Sequence, residues 1–208
     1  MKIFMVDGHC LPKDGGAIIP FSEWGNQYNE SKLIRIVTPK IVSLLKSNTS
    51  YDVIHFNMDG KGSKTQLYEK ARAINAVSTS NKDFAIEIHF NYATNQQSGF
   101  FPIIGNNLQL GRSIYDNFNI PGIIRKGIYC TKPYYDRYVK NNVPNIVWLD
   151  KKSLGFIKNI NISSMIIESL FLSSKSDMTW LFSDLDKNTG LLAQNIYNGI
   201  VAYAKSIS

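Results

Sequence analysis

The order of apolar runs along the chain constrains its fold more than any other feature of the sequence. Short apolar runs, typical of buried strands, alternate with segments in which apolar residues recur at helical spacing. Strands are predicted at residues 2–6, 52–56, 84–90, 100–104, 145–149 and 163–168. Such alternation favours a layered α/β domain with a largely parallel sheet.

Four segments between and after these runs have a helical pattern. In the first, Asn29 is a candidate N-cap. Pro39 lies inside this pattern, so we expect it to kink or split the helix, with Thr38 capping a second piece. The apolar positions that define the four helices are Leu33, Ile36, Val37, Ile41, Leu44 and Leu45, then Leu67, Ala71 and Ile74, then Leu108, Ile114, Tyr115 and Phe118, and finally Leu192, Ile196, Ile200 and Tyr203.

Two histidines lie at the ends of predicted strands. His9 follows the first apolar run, and His89 lies at the end of the run that begins at Phe84. Active sites of parallel sheets gather at the carboxyl ends of strands, so the two imidazoles are expected to share one metal ion. Three protein ligands would leave a fourth zinc position for water. His55, inside another strand, is interpreted as a hydrogen-bonded structural residue.

Four motifs, each weak alone, occur in order over about residues 3–203. They are Gly8-His9 followed by Asp14-Gly15-Gly16-Ala17, then Glu30 heading a helix, then Ile88-His89-Phe90-Asn91, then Glu168 three residues before Phe171. In this order they resemble the zinc-dependent N-acetylmuramoyl-L-alanine amidases of amidase family 3. Those enzymes cleave bacterial peptidoglycan and include many phage endolysins.

The resemblance implies both a fold and a reaction. The fold would be a twisted, mostly parallel six-stranded sheet flanked by helices, of the phosphorylase/hydrolase-like kind. His9, Glu30 and His89 would bind one catalytic Zn²⁺, and Glu168 would act as general base. The reaction would be hydrolysis of the amide bond between N-acetylmuramic acid and L-alanine, leading to lysis of the wall.

The third ligand has two candidates, Glu23 and Glu30. In the family, apolar helix positions follow this glutamate at fixed spacing, and Glu30 matches that spacing better than Glu23 does. The loop between His9 and Asn29 departs from the family, with one extra residue before Asp14 and an insertion that contains Trp24.

Two further polar residues share the predicted strand of His89. Glu87 is two residues away and therefore on the same face, where it could orient the imidazole or compete for the role of base. Asn91 is assigned to the same face and could bind substrate or support the site. Cys10 and Cys130 are interpreted as free thiols. Cys10 follows His9 directly, and strand neighbours point to opposite faces, so it is not favoured as a ligand.

Length and charge bound the class of protein. With 208 residues and 44% hydrophobic content, we expect one catalytic domain over 1–208 and no separate wall-binding domain. The net charge of +7 implies attraction to polyanions, and charge alone does not choose among nucleic acid, an anionic membrane and the anionic polymers of a bacterial wall. No nucleic-acid-binding motif accompanies it, so a solvated basic surface is the simplest interpretation, and attraction to peptidoglycan and anionic wall polymers is a hypothesis.

No signal peptide or 18-residue apolar run is found, so we expect synthesis in the cytoplasm, no membrane insertion, and release by a holin or by lysis. Two other functions remain open on the sequence alone. A zinc-dependent wall peptidase or carboxypeptidase would use the same residues on a different bond. A non-catalytic wall-binding relative would keep the fold.

Overall fold

A twisted sheet forms the centre of the computed structural model, which describes residues 1–57, 59–60, 63–95, 97–150 and 154–208, without the side chains of 63–66. The strands are β1 Lys2–Asp7, β2 Asp52–Phe56, β3 Phe84–Asn91, β4 Phe101–Ile104, β5 Ile128–Cys130, β6 Ile146–Trp148 and β7 Ser163–Phe171. The helices are α1 Ser22–Gly25, α2 Glu30–Asn48, α3 Ser63–Val77, α4 Leu108–Asn117, α5 Lys132–Lys140, α6 Gly155–Asn159, α7 Lys175–Ser183 and α8 Leu185–Ser206.

The strand order in the sheet is β2-β1-β3-β7-β4-β5-β6. β2, β1, β3 and β7 run parallel to one another, whereas β4 runs antiparallel to β7. β5 and β6 run parallel to β4. The sheet is therefore mostly parallel, as predicted, and the carboxyl ends of β1, β3 and β7 lie at one edge.

Helices cover both faces of the sheet. One core packs β-strand residues against α2, α4 and α8, and a smaller core packs the other face against α3 and α6. Side chains of β3 alternate between the two faces, because Ile86 and Ile88 enter the larger core while Ala85 enters the smaller one. Glu87 and His89 consequently face the α3 and α6 side.

The expected count of six strands is wrong, because the described residues form a sheet of seven strands. The missed strand is β5, whose three residues show no periodic pattern. β6 is equally short, but it lies within a run of four apolar residues, 146–149, that marks it in the sequence. β7 also extends to Phe171, so Glu168 lies within a strand rather than at its end. The extension follows from the apolar Leu170 and Phe171, both of which are buried.

Pro39 does not split the first long helix. α2 is continuous from Glu30 to Asn48, and Thr38 is a buried residue inside it rather than a cap. Proline removes one helical hydrogen bond. Pro39 lies on the exposed side of α2, where water can satisfy the carbonyl that loses its partner.

Four of the described helices were not predicted from the sequence, namely α1, α5, α6 and α7. α1 and α6 are a single turn long. The sequence does contain a signal for the start of α5, because Pro133 lies in the first turn of this helix, after Thr131. Among the described residues, no helix is both long and apolar enough to cross a membrane.

Candidate metal centre

The two histidines lie side by side where β1 and β3 approach their carboxyl ends. Asp7 of β1 is in register with Ile88 of β3, so His9, just beyond β1, is close to His89. Gly8 makes this approach feasible, because a Cβ atom there would lie 2.4 Å from His89 Cε1. Any side chain at this position would displace the imidazole.

Glu30 is the first residue of α2, and its carboxylate points back to the histidines. Asn29 caps the helix as predicted, with its side chain accepting a hydrogen bond from Lys32 N at 3.0 Å. The backbone N–H of Ala17 donates to Glu30 Oε2 at 2.9 Å, and that of Phe90 donates to Oε1 at 3.2 Å. These contacts hold the buried carboxylate in one orientation.

His9, Glu30 and His89 form one cluster. Glu30 Oε2 lies 3.2 Å from His9 Nε2, and Oε1 lies 2.9 Å from His89 Nδ1. The two imidazole rings meet edge to face, with centroids 4.9 Å apart. Within the described part of the chain, one ligand atom from each of the three residues falls within 4.8 Å of the others.

Each histidine also has a carboxylate on its other ring nitrogen. Asp14 Oδ1 lies 2.9 Å from His9 Nδ1, and Glu87 Oε2 lies 3.2 Å from His89 Nε2. Carboxylates in this position fix the tautomer and the orientation of a metal-binding imidazole. The nitrogens that face Glu30, Nε2 of His9 and Nδ1 of His89, are therefore the ones available to a metal.

The electrostatics of the cluster favour the charged forms of His9, Glu30 and His89. Burial acts to lower the pKa of His9, but the Glu30 carboxylate outweighs it, and the pKa is raised. For His89, burial is likewise outweighed by Glu30 and Glu87, so its pKa lies well above the ordinary value. Burial alone would raise the pKa of Glu30, yet the two imidazoles hold it far below its usual range. A metal ion at this cluster would compete with protons for the same nitrogens.

The donor set fits a zinc ion. Two imidazole nitrogens and a carboxylate oxygen form a known catalytic zinc combination, which leaves a fourth position open. The three ligand atoms already converge. Asp14 and Glu87 supply the outer support that such sites have.

Glu168 lies beside the cluster without belonging to it. In the pairing of β3 with β7, Glu168 is the register partner of His89. Register partners on adjacent strands place their side chains on the same face, so the half-buried Glu168 flanks the imidazole. Among the residues that the structure describes, Glu168 is not one of the three that form the cluster.

A cavity of about 200 Å³ adjoins the cluster on the α3 and α6 side. Its lining includes His9, Asp14, Glu87 and His89 together with apolar residues of α3 and α6. A larger cavity of about 570 Å³ lies at the opposite edge of the sheet, around Gly105, after β4 ends. Of these two cavities, the smaller one is lined by the candidate metal ligands His9 and His89.

The two other polar residues of β3 differ in what surrounds them. Glu87 contacts His89, as its same-face position predicted. A register irregularity between His89 and Asn91 interrupts the regular alternation on which the placement of Asn91 relied. The side-chain oxygen of Asn91 accepts a hydrogen bond from Tyr92 N at 2.7 Å. A substrate-binding role for Asn91 stays a prediction.

The alternative candidates lie elsewhere or have other partners. Glu23 is on α1, on the surface, and forms an ion pair with Lys175. His55 Nε2 lies 3.0 Å from Asp7 Oδ1, which agrees with its structural interpretation. Cys10 is buried, forms no disulfide within the described part of the chain, and lies outside the cluster. It lies beyond β1 in a short bridge rather than in a strand, so the strand argument about its direction does not apply.

Two residues near the site were missed from the sequence. Asp14 is part of the first motif, and its carboxylate, five residues after His9 in the chain, lies 2.9 Å from His9 Nδ1. Lys70 was not singled out at all. It lies on the apolar stripe of α3, between Leu67 and Ala71, and a lysine on such a stripe is a sign of a buried charge with a specific partner.

A mostly parallel α/β domain with two histidines and a glutamate gathered at the carboxyl edge of its sheet is typical of metal-dependent hydrolases. The chain belongs to the N-acetylmuramoyl-L-alanine amidase family, since the family model Amidase_3 matches residues 3–202.

Solved structures share this fold at low sequence identity. An N-acetylmuramoyl-L-alanine amidase from Clostridium difficile 630 matches with a TM-score of 0.72 and 19% identity, over 100% of this chain and 98% of its own. The CwlD amidase of Clostridioides difficile, solved in complex with the GerS lipoprotein, gives 0.70 and 20%, over 100% of both chains. The catalytic domain of the CD27L endolysin targeting Clostridia difficile gives 0.67 and 16%, over 95% of this chain and 97% of its own. A comparison with curated proteins gives no match.

Proposed function

We propose that this chain is the catalytic domain of a peptidoglycan hydrolase that uses one zinc ion to cleave the amide bond between N-acetylmuramic acid and L-alanine. The observation that carries the proposal is the convergence of His9, Glu30 and His89 at the carboxyl edge of the sheet, in a chain of the amidase family. His9 and His89 would each bind the zinc through the nitrogen that faces Glu30, and Glu30 through a carboxylate oxygen.

Bound zinc would supply Lewis-acid polarisation of the lactyl carbonyl and a water molecule of lowered pKa. Glu168 would accept a proton from the attacking water on a carboxylate oxygen. The same carboxyl group would then donate that proton to the departing nitrogen of L-alanine, because an amide anion is a very poor leaving group. Asp14 and Glu87 would keep the imidazoles oriented throughout.

The positive net charge of the protein is complementary to the negative charge of the bacterial wall that contains the proposed substrate. A net charge of +7 favours association with the anionic polymers of a bacterial wall. We propose a lytic role of the endolysin type, in which the protein meets the wall after release from the cell by a holin or by lysis. The basic surface would keep the enzyme on its substrate.

The experiment that tests this function identifies the new chemical ends in digested cell walls. We expect L-alanine amino termini to appear in step with the loss of turbidity, with no gain of reducing sugar ends. A zinc chelator should stop the release, and added zinc should restore it. The variant Glu168→Gln serves as the inactive control and Glu23→Gln as the active one.

Other outcomes would replace the proposal. New amino termini from a different stem residue would make the enzyme a peptidase, and release of a terminal residue alone would make it a carboxypeptidase. Zinc bound with no release from walls of several species would favour a non-catalytic wall-binding relative.

A further inference from the structure

Lys70 is a buried cation next to the candidate zinc site. It lies on α3 and only 1% of its surface is exposed, and Ala71 and Ile74 of the same helix pack in the smaller core. A buried ammonium group is strongly unfavourable unless every donor is paired. The surroundings of Lys70 therefore show what it does.

The three N–H donors of Lys70 have three acceptors. Nζ donates to the backbone oxygen of Asp7 at 2.6 Å and to that of Gly8 at 3.2 Å. It also donates to Glu87 Oε1 at 2.7 Å. An ammonium group carries three donors, so none is left for a substrate. Lys70 is thus a support and not a binding or catalytic group.

These acceptors are the immediate supports of both histidines. Asp7 and Gly8 are the two residues that precede His9 in the chain. Glu87 uses its other oxygen, Oε2, at 3.2 Å from His89 Nε2. One ammonium group therefore connects the backbone that carries one imidazole with the carboxylate that orients the other.

We propose that Lys70 is a positioning residue that sets the distance and orientation of His9 and His89 for a single zinc ion. This rests on the proposed function, because it needs zinc at the cluster. Without the ammonium group, Glu87 Oε1 would lose its buried N–H donor at 2.7 Å, and nothing at this position would hold the carboxylate in place. A rotation of Glu87 would release the ring of His89 from the orientation in which Nδ1 faces Glu30.

The loss of an outer support of a zinc ligand weakens metal binding by about 10–100-fold. Lys70→Met keeps the apolar stem and removes the charge, so we expect a loss of that size in the full chain. Lys70→Arg keeps a cation with several donors and should recover part of the affinity. The combined change Lys70→Met with Glu87→Gln removes the buried charge on both sides, which should restore stability but not zinc affinity.

A matched control separates positioning from general destabilisation. Asn107 caps α4 and donates through Nδ2 to Ser163 Oγ at 2.8 Å and to Tyr203 Oη at 2.6 Å. It lies beyond β4, away from the carboxyl edge that carries the histidines. Asn107→Ala should lower the Tm while leaving zinc affinity unchanged.

The experiment measures the zinc Kd of each variant by competition with a chelating indicator, and the visible spectrum after replacement of zinc by Co²⁺. We expect Lys70→Met to raise the Kd by about 10–100-fold and to alter the Co²⁺ bands, which report ligand geometry. A Kd within threefold of the parent, with an unchanged Co²⁺ spectrum, would overturn the proposal. Should Lys70→Met fail to fold, Lys70→Gln and Glu87→Gln decide by the same two measurements.

The result separates this inference from the proposed function. If the parent protein binds no zinc, or if His9→Ala binds it as well as the parent, the metal site itself is wrong. If the parent binds zinc through His9 and Lys70→Met does so equally well, only the role of Lys70 is wrong.

Discussion

Glu168 is the register partner of His89 on the neighbouring parallel strand, and its side chain lies on the same face of the sheet. This pairing places a carboxylate next to a candidate ligand without making it part of the clustered set. A general base needs such a position, close to the reacting atoms and separate from the metal ligands.

The first prediction separates the base from the ligands. Glu168→Gln should retain one zinc ion per chain and the parent Tm while its rate falls by about 10²–10⁴-fold, the usual contribution of a positioned base. Release of labelled L-alanine ends measures the rate, and metal analysis measures the zinc. Activity within a few-fold of the parent would transfer the role to another carboxylate, with Glu87 the first to test.

The second prediction concerns the three ligands. His9→Ala and His89→Ala should each abolish stoichiometric zinc binding, because each removes one of three converging donors. Glu30→Ala should weaken binding by more than the roughly 10–100-fold that an outer support contributes. Equilibrium dialysis against a chelating indicator measures each Kd.

Glu23→Ala is the matched control for Glu30→Ala. Glu23 is the other glutamate of the same stretch, but it lies on the surface and pairs with Lys175. We expect zinc binding and activity to be unchanged. Loss of zinc in Glu23→Ala, with retention in Glu30→Ala, would exchange the two assignments.

The sequence predicts the fold well where the pattern is long. Alternating apolar runs and helical stripes are sufficient for the layered α/β class, because each strand between helices can bury both faces. β5 has three residues and shows no periodic pattern. The sequence predicted that Pro39 would kink or split the helix, but α2 is continuous through it. Helix propensity alone does not account for the packing that holds the rest of α2 together.

The site is predictable only where residues lie near one another in sequence or at matching strand ends. His9 and His89 follow from the carboxyl ends of adjacent parallel strands. Glu30 reaches them from α2, which packs on the other face of the sheet, and its assignment needed the family resemblance together with the spacing of the apolar positions that follow it. The contacts of Lys70 could not be predicted, since its partners are 17 to 63 residues away in sequence.

The third prediction concerns the outer support of His9. Asp14 Oδ1 lies 2.9 Å from His9 Nδ1, so Asp14→Ala should lower zinc affinity by about 10–100-fold while the ligands remain in place. Asp136→Asn is the matched control, because Asp136 is an exposed carboxylate on α5 that pairs with Lys132. An unchanged zinc Kd in Asp14→Ala would exclude Asp14 from the support of the site.

The pH dependence of zinc binding follows from the raised pKa values of His9 and His89. In the metal-free protein, the stability from these raised pKa values is complete below the ordinary histidine pKa of about 6.5 and is lost as the pH rises through the folded pKa values. The lowered pKa of Glu30 acts in the other direction, but its contribution is lost only as the pH falls below about 4.5 toward the folded value. Of these two contributions to the stability of the metal-free protein, the one from the histidines changes between pH 6 and pH 8, and the one from Glu30 does not.

The fourth prediction is that the rise in Tm on adding zinc grows between pH 6 and pH 8. Zinc needs both imidazoles neutral, so binding releases protons and its affinity increases as the pH rises. Release of two protons would raise the affinity by up to about 100-fold per pH unit, which adds about 2.7 kcal/mol of stabilisation at saturating zinc. Thermal melts with chelator or zinc at each pH measure it, with His9→Ala as the variant in which zinc should change nothing. A zinc effect that is constant or shrinks as the pH rises would mean that the ion binds somewhere other than these imidazoles.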